Sequence, residues 1–289
     1  MLTPKERLKA IFEGQKVDRP ACICPGGMMN MITADLMDQI QVFLPEAHHD
    51  ARQMAELAKA VYEQGCFENY GVPFCMTVEV EEMGAKVDMG TKVYEPHVIE
   101  YVMDSVSDYE KLTPVDVTKG RAKVVTDAIR ILKEETSGVP IVGNLTGPVS
   151  TASSVMEPVN FYKELRKKNQ EAHAYMEFIT DQLIAFGRAQ IEAGADVIAI
   201  SDPSGTGEIL GPKFFKEFAV TYLNKLLDGL KKENIGTIVH ICGQMHSVYK
   251  EINEVHSDVL SFDSVVPMKE ARANLKDLSL IHISEPTRR

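Results

Sequence analysis

Along this chain the period of the apolar positions changes from one segment to the next. Between residues 121 and 263, short beta-branched runs alternate with longer stretches whose apolar residues recur at helical spacing. The runs are Pro140-Ile141-Val142-Gly143, Val197-Ile198-Ala199-Ile200, Thr237-Ile238-Val239-His240-Ile241 and Val259-Leu260-Ser261-Phe262. The pattern predicts helices over 121–135, 161–193, 212–233 and 246–254, each feeding the next strand. Buried strands joined through helices make a parallel sheet covered by helices. Upstream, Thr3-Pro4-Lys5-Glu6 has the form of a capping box with proline at the first helical position, so a helix should run to about residue 12. A short strand is expected over 21–24, stopped by Pro25-Gly26-Gly27, and an amphipathic helix over 46–65, with Met54 and Leu57 in the core. Residues 73–79 read as a strand with Cys75, Thr77 and Glu79 on one face. A carboxylate in such a run either faces water or has a partner. Residues 84–103 alternate and turn at Gly90, as a hairpin does, and 104–120 are acidic and irregular.

Composition narrows the possibilities. With 289 residues, 44% of them apolar, the chain can bury a large core. A formal net charge of -11 argues against nucleic acid and anionic membrane surfaces as partners. No apolar run approaches the roughly 18 residues of a membrane helix, and the N-terminus lacks a signal-peptide core, so the expected compartment is the cytoplasm. Five cysteines without a regular framework suit a reduced setting, with thiol or metal chemistry. No G-x-G-x-x-G follows any strand, which leaves a dinucleotide fold without its main support.

The polar residues that follow the strands carry the candidate chemistry. Asn144, Asp202, His240, Cys242 and Asp263 all fall at strand ends, and in a parallel barrel those ends open onto one shared face. His240 and Cys242 are two apart and so point the same way from one strand. An imidazole and a thiolate so placed can supply half of a four-ligand zinc shell. The plainer alternative is a satisfied buried histidine beside an inert cysteine, with Asp202 and Asp263 capping the helices that follow them. Cys22 and Cys24 share a face in the same way, and Cys24 reads either as a structural thiol or as a group near the site.

The opening TPKERLKAIFEGQKVDRPACICPGGMMN, the segment GVPFCMTVEVEEMGAKVDMG, then IVGNLTGPVSTASS, EAGADVIAISDPSGTGEILGP and IVHICG resemble the uroporphyrinogen decarboxylase superfamily. Within it they look most like the methylcobamide:coenzyme M methyltransferase branch, over the first residues to about residue 278. The resemblance implies a (β/α)8 TIM barrel with an N-terminal helical extension, and zinc bound by His240, Cys242 and a later cysteine. It implies transfer of a methyl group from a methyl-corrinoid, carried by a corrinoid protein, to a small-molecule thiol such as coenzyme M. Asn144, Asp202, Asp263 and Glu79 are then candidates for binding substrate; by strand-end position alone, Glu79, Cys24 and Asp263 are candidates for a fourth ligand. Two alternatives stay open. One is uroporphyrinogen decarboxylation, which needs cationic groups for a polycarboxylate. The true decarboxylases carry an arginine-bearing segment after the first strand, whereas this chain has Cys24-Pro25-Gly26-Gly27-Met28-Met29-Asn30 and no arginine until Arg52. The other is a non-catalytic corrinoid-binding protein or an inactive fragment.

That alternative arises at the C-terminus. Six strands are expected, near 21–24, 73–79, 140–143, 197–200, 237–242 and 259–263, after which a helix begins near Met268 and the pattern stops. Residues 279–289 look like a translated sequencing-adapter read-through, foreign to a single domain over 1–278. A barrel truncated after about six strands would lack roughly 50–60 residues, including the later cysteine.

Overall fold

A computed structural model describes residues 1–26, 30, 32–231, 236–275 and 279–282, the last four as backbone alone. Two helices, α1 (Pro4–Phe12) and α2 (Ala34–Ile40), precede α3 (Ala51–Glu63) and the short strand β1 (Tyr70–Val72). A turn of helix, α4 (Val78–Glu82), leads to the hairpin β2 (Lys86–Asp88) and β3 (His97–Glu100), and α5 (Gly120–Glu135) leads to β4 (Ile141–Thr146). Three helices follow, α6 (Pro148–Val155), α7 (Pro158–Lys167) and α8 (Asn169–Ala193), then β5 (Val197–Ser201), α9 (Gly207–Phe214) and α10 (Thr221–Leu230). The chain ends with β6 (Gly236–Ile241), α11 (Tyr249–Ile252), β7 (Val259–Phe262), α12 (Met268–Asn274) and β8 (Ser279–His282). The main sheet is six-stranded and parallel, in the order β1-β4-β5-β6-β7-β8. Among the described residues no pairing joins its two edges. No described helix is long and apolar enough to cross a membrane.

Strand alternation divides the core in two. Ile198, Ile200, Val239, Ile241, Leu260 and Phe262 pack outward into the large cluster under the helices. Their neighbours Val142, Val197, Ala199, Ile238 and Val259 pack inward with Leu8 of α1 and Ile23. The helix α1 has the predicted capping box on Thr3 and closes the end where the strands begin. Lys5 N–H donates to Gly138 O at 3.0 Å, Lys5 Nζ pairs with Asp196 at 2.6 Å, and buried Arg7 forks onto Asp18 at 2.8 and 3.1 Å. With α1 across that end, the polar groups of the inward row lie where the strands finish.

Several sequence expectations change. Residues 21–24 are extended without being a sheet strand; they are tied alongside by Glu68 N–H to Cys22 O at 2.7 Å and Cys24 N–H to Asn69 Oδ1 at 2.8 Å. The strand expected over 73–79 lies instead at 70–72. Pro73 cannot donate a ladder hydrogen bond, and Glu79, Glu81 and Glu82 enter a helical turn whose N-terminus favours acidic residues. Residues 161–193 are two helices, because Lys168 takes a non-helical conformation (φ -129°, ψ 53°). The helix expected from 212 starts at Gly207 and kinks at Gly211 (φ 68°), the residue before Pro212, where helical geometry is disfavoured. The hairpin stands as expected, with Gly90 at φ 69° in its turn. The helix expected near Met268 is present as α12, and 279–282 follows it as one more strand, parallel to β7. Residues 283–289 of the tail, and Gly27-Met28-Met29, lie outside the described residues.

Phe161 is fully buried, its ring centroid 6.1 Å from that of Tyr175 in an edge-on arrangement. Phe161→Ala should lower the unfolding free energy by about 3–5 kcal/mol. Urea titration of both proteins measures it, and a loss below about 1 kcal/mol would contradict this packing.

Candidate metal and thiol site

The inward row gathers its polar groups by register. Thr146 pairs with Ser201, Ser201 with His240 and His240 with Ser261, so these four side chains leave one face at one level. Cys242 follows the end of β6, and its Sγ lies 3.2 Å from His240 Nε2. Two ligands on a tetrahedral zinc, with bonds of roughly 2.0 Å to nitrogen and 2.3 Å to sulfur, stand about 3.5 Å apart. The pair therefore fits two corners of such a shell with a small opening. The other ring nitrogen, Nδ1, meets Ser261 Oγ at 3.0 Å, which fixes the ring and leaves Nε2 directed at the thiol. Among the described residues no group of three or more His, Cys, Asp and Glu side chains converges as a metal site.

Burial sets the charge of both groups. It pushes the His240 imidazole down to about 4, so the ring is neutral and keeps a lone pair for a ligand bond. It pushes the Cys242 thiol up to about 11, with Asp263 and Asp202 adding to the rise. Among the described residues no cation beside the thiol offsets this, and a bound metal ion is the kind of charge that would.

The other candidate residues do not all join the pair. Asp263 lies near it without completing a metal site: its Oδ2 accepts from Gly243 N–H at 3.3 Å, beside Cys242, and its charge acts on His240. Asp202 is turned to a structural task, accepting from Val149 N–H at 3.2 Å, Ser150 N–H at 2.7 Å and Ser150 Oγ at 2.6 Å. It caps α6, the helix of the preceding unit, rather than the helix that follows it. Asn144 lies deeper, donating from Nδ2 to Val72 O at 3.1 Å, while its buried Oδ1 has no hydrogen-bond partner among the described residues. A Cβ at Gly26 would fall 1.1 Å from that oxygen, so the chain passes directly over Asn144. Cys24 is buried, its Sγ accepting from Gly26 N–H at 3.3 Å, and desolvation raises its thiol to about 12.

Glu79 sits in α4, with its carboxylate held by Thr146 N–H at 2.8 Å and Thr146 Oγ1 at 3.1 Å. That places a buried acid two strands from His240, in contact with the first residue of the same polar row. Burial raises it to about 7 against these hydrogen bonds. Ser261 and Thr146 were not singled out from sequence; the alternation 259, 261, 263 would have placed Ser261 inward. A hollow of about 280 Å3 lies elsewhere, at the opposite end, between α1 and the strand starts, lined in part by Leu8, Phe12, Asp196 and Asp258. The chemistry here rests on the side chains, not on cavity size.

With this geometry in view, comparison with known proteins is decisive for the family. The model of the family described as uroporphyrinogen decarboxylase (URO-D) matches residues 3–281. The chain belongs to that family. Among family relatives, the methylcobamide:CoM methyltransferase MtbA of Methanosarcina acetivorans is 33% identical over 98% of this chain and 83% of its own length. The methylcobamide:CoM methyltransferase MtaA of Methanosarcina barkeri is 34% identical over 91% of this chain and 76% of its own. A solved methyltransferase from Methanosarcina mazei superposes with a TM-score of 0.89 at 30% identity, over 99% of this chain and 85% of its own. The URO-D fold and its relation to these methyltransferases agree with the resemblance read from the sequence.

The buried acid gives a pH test. The folded state holds the Glu79 proton up to about 7, whereas the unfolded chain releases it near 4.5, so folding is favoured below 4.5 and loses that contribution as pH rises to 7. Glu79→Gln should remove a loss of about 3 kcal/mol across that window. Unfolding free energies of both proteins from pH 4 to 8 check this, and parallel curves would refute it.

Proposed function

We propose that this protein transfers a methyl group from a methyl-corrinoid, delivered by a corrinoid protein, to a small thiol such as coenzyme M. Zinc belongs to the proposal, held by His240 and Cys242, with the single domain taken over 1–278. The observation that carries it is the contact of His240 Nε2 with Cys242 Sγ at 3.2 Å on the inward face, in a URO-D chain whose relatives include methylcobamide:CoM methyltransferases over more than nine-tenths of its length. Bound there, zinc supplies a Lewis acid that keeps a thiol deprotonated near neutral pH.

The chain's own residues set the stage for that reaction. Ser261 holds the imidazole in one orientation through Nδ1, and burial keeps the ring uncharged. Beneath the site the inward row is apolar, with Val142, Val197, Ala199, Ile238 and Val259 packed with Leu8 of α1. Asp263 lies beside Cys242 and makes the rim of the site anionic. In the reaction the acceptor sulfur forms a bond to the methyl carbon while the carbon–cobalt bond breaks. Its electron pair stays on cobalt, which passes from Co(III) to Co(I), and the thiol proton leaves to solvent. Decarboxylation of a porphyrinogen is the weaker reading. Its substrate needs clustered cations, yet Arg121 is buried and committed to Cys75 Sγ at 3.0 Å and Thr77 Oγ1 at 3.0 Å.

The expected result is cob(I)alamin formation from methylcobalamin only when a suitable thiol is present, with about one zinc per chain by metal analysis. His240→Ala and Cys242→Ala should each lose zinc and lose more than the roughly 10–100-fold that removing an outer-shell partner costs, with far-ultraviolet circular dichroism unchanged. Unaltered zinc content and turnover in both variants, or coproporphyrinogen formed from uroporphyrinogen, would overturn the reading. Corrinoid binding without turnover would favour a non-catalytic carrier.

A further inference from the structure

We propose that exposed cations on α7 and α9 form the docking face for the acidic surface of the corrinoid-carrying protein, an inference that rests on the methyl-transfer reading. The chain carries a net charge of -11, so most of its surface repels an acidic partner. Its cations are for the most part already spent on carboxylates: Lys59 pairs with Glu135, Lys133 with Asp196 and Lys225 with Asp181. Lys163, Arg166, Lys167 and Lys213 are exposed, and none has a carboxylate within ion-pairing distance among the described residues. They cluster. Arg166 and Lys213 both stand over the Phe214 ring, at 5.4 and 5.6 Å from its centroid, which joins α7 to α9 and holds both charges outward.

The patch is also shaped and placed for a protein. Val159 and Ile209 are 54% and 51% exposed, which puts apolar side chains beside the cations. Val159, Tyr162, Lys163, Arg166 and Lys167 line an open hollow of about 480 Å3. Arginine and apolar contacts with a charged border are the composition of a protein interface. The patch borders the site: Tyr162 OH donates to Ser204 O at 3.4 Å, just after β5, and Glu208 of α9 accepts from Gln244 N–H at 2.9 Å, two residues beyond Cys242. A partner seated here would present its corrinoid to the strand ends. The source of negative charge is the partner's carboxylates, because they can spread over both helices, whereas the corrinoid's single phosphate cannot.

The test uses the intact protein with two donors, free methylcobalamin and a recombinant corrinoid protein loaded with methylcobalamin. The combined variant Lys163→Glu, Lys167→Glu, Lys213→Glu should lower kcat/KM for the protein donor about 10–100-fold at low salt, through KM, and the loss should shrink as salt rises. Lys163→Gln with Lys167→Gln should give a smaller loss in the same direction, and the rate with free methylcobalamin should stay within about twofold of the parent. Unchanged kcat/KM for the protein donor would overturn the proposal. Equal losses with both donors would assign the patch to the corrinoid's phosphate, and an altered oligomeric mass would assign it to a second copy; either overturns it. If the parent enzyme transfers methyl from neither donor, the methyl-transfer reading falls and the surface with it, whereas transfer with indifferent variants overturns the surface alone.

Discussion

Everything at this site depends on the parity of four parallel strands. In the register Thr146, Ser201, His240, Ser261 the side chains point inward together, and the residues between them point out into the helices. A slip of one residue in β6 would send His240 and Cys242 into the apolar layer and bring Val239 and Ile241 inward. Burial of Ile238, Val239 and Ile241 on both faces of the strand holds that register. The apolar core under the helices is thus what aims the imidazole and the thiol at one point.

The same row gathers ionisable groups that burial would otherwise penalise, and each is accommodated in its own way. Asp202 keeps two backbone N–H groups and a hydroxyl of α6, so its buried carboxylate serves as a helix cap. Glu79 is held by the amide and hydroxyl of Thr146, yet desolvation prevails, holding its proton to about 7. His240 is left neutral and Cys242 protonated, a pair of soft donors with no cation to balance a thiolate. A zinc ion there would offset the burial of the thiolate and take the Nε2 face of the ring that Ser261 does not contact.

Much of this was legible in the chain. The capping box at Thr3 and Glu6, the helix–strand alternation after residue 121 and the shared face of His240 and Cys242 follow from local rules, because each depends on residues a few positions apart. What was not legible depends on distant partners. The stretch Val78-Glu79-Val80 alternates like a strand, yet it forms a helical turn because Pro73 ends β1 and Thr146, 67 residues away, receives the carboxylate. Asp202 reads as a cap for the helix after it, and only the fold brings it to α6. The sheet has six strands as counted from sequence, with 70–72 and 279–282 in place of 21–24 and 73–79, since strand identity is settled by which edge finds a partner.

X-ray absorption at the zinc edge of the purified protein, beside its Cys242→Ser variant, probes the central claim most directly. A first shell with sulfur near 2.3 Å and imidazole nitrogen near 2.0 Å is expected in the parent, with one sulfur scatterer lost in the variant. A shell of oxygen and nitrogen alone, or one that the substitution leaves unchanged, would contradict the assignment of His240 and Cys242 as the pair that holds the metal.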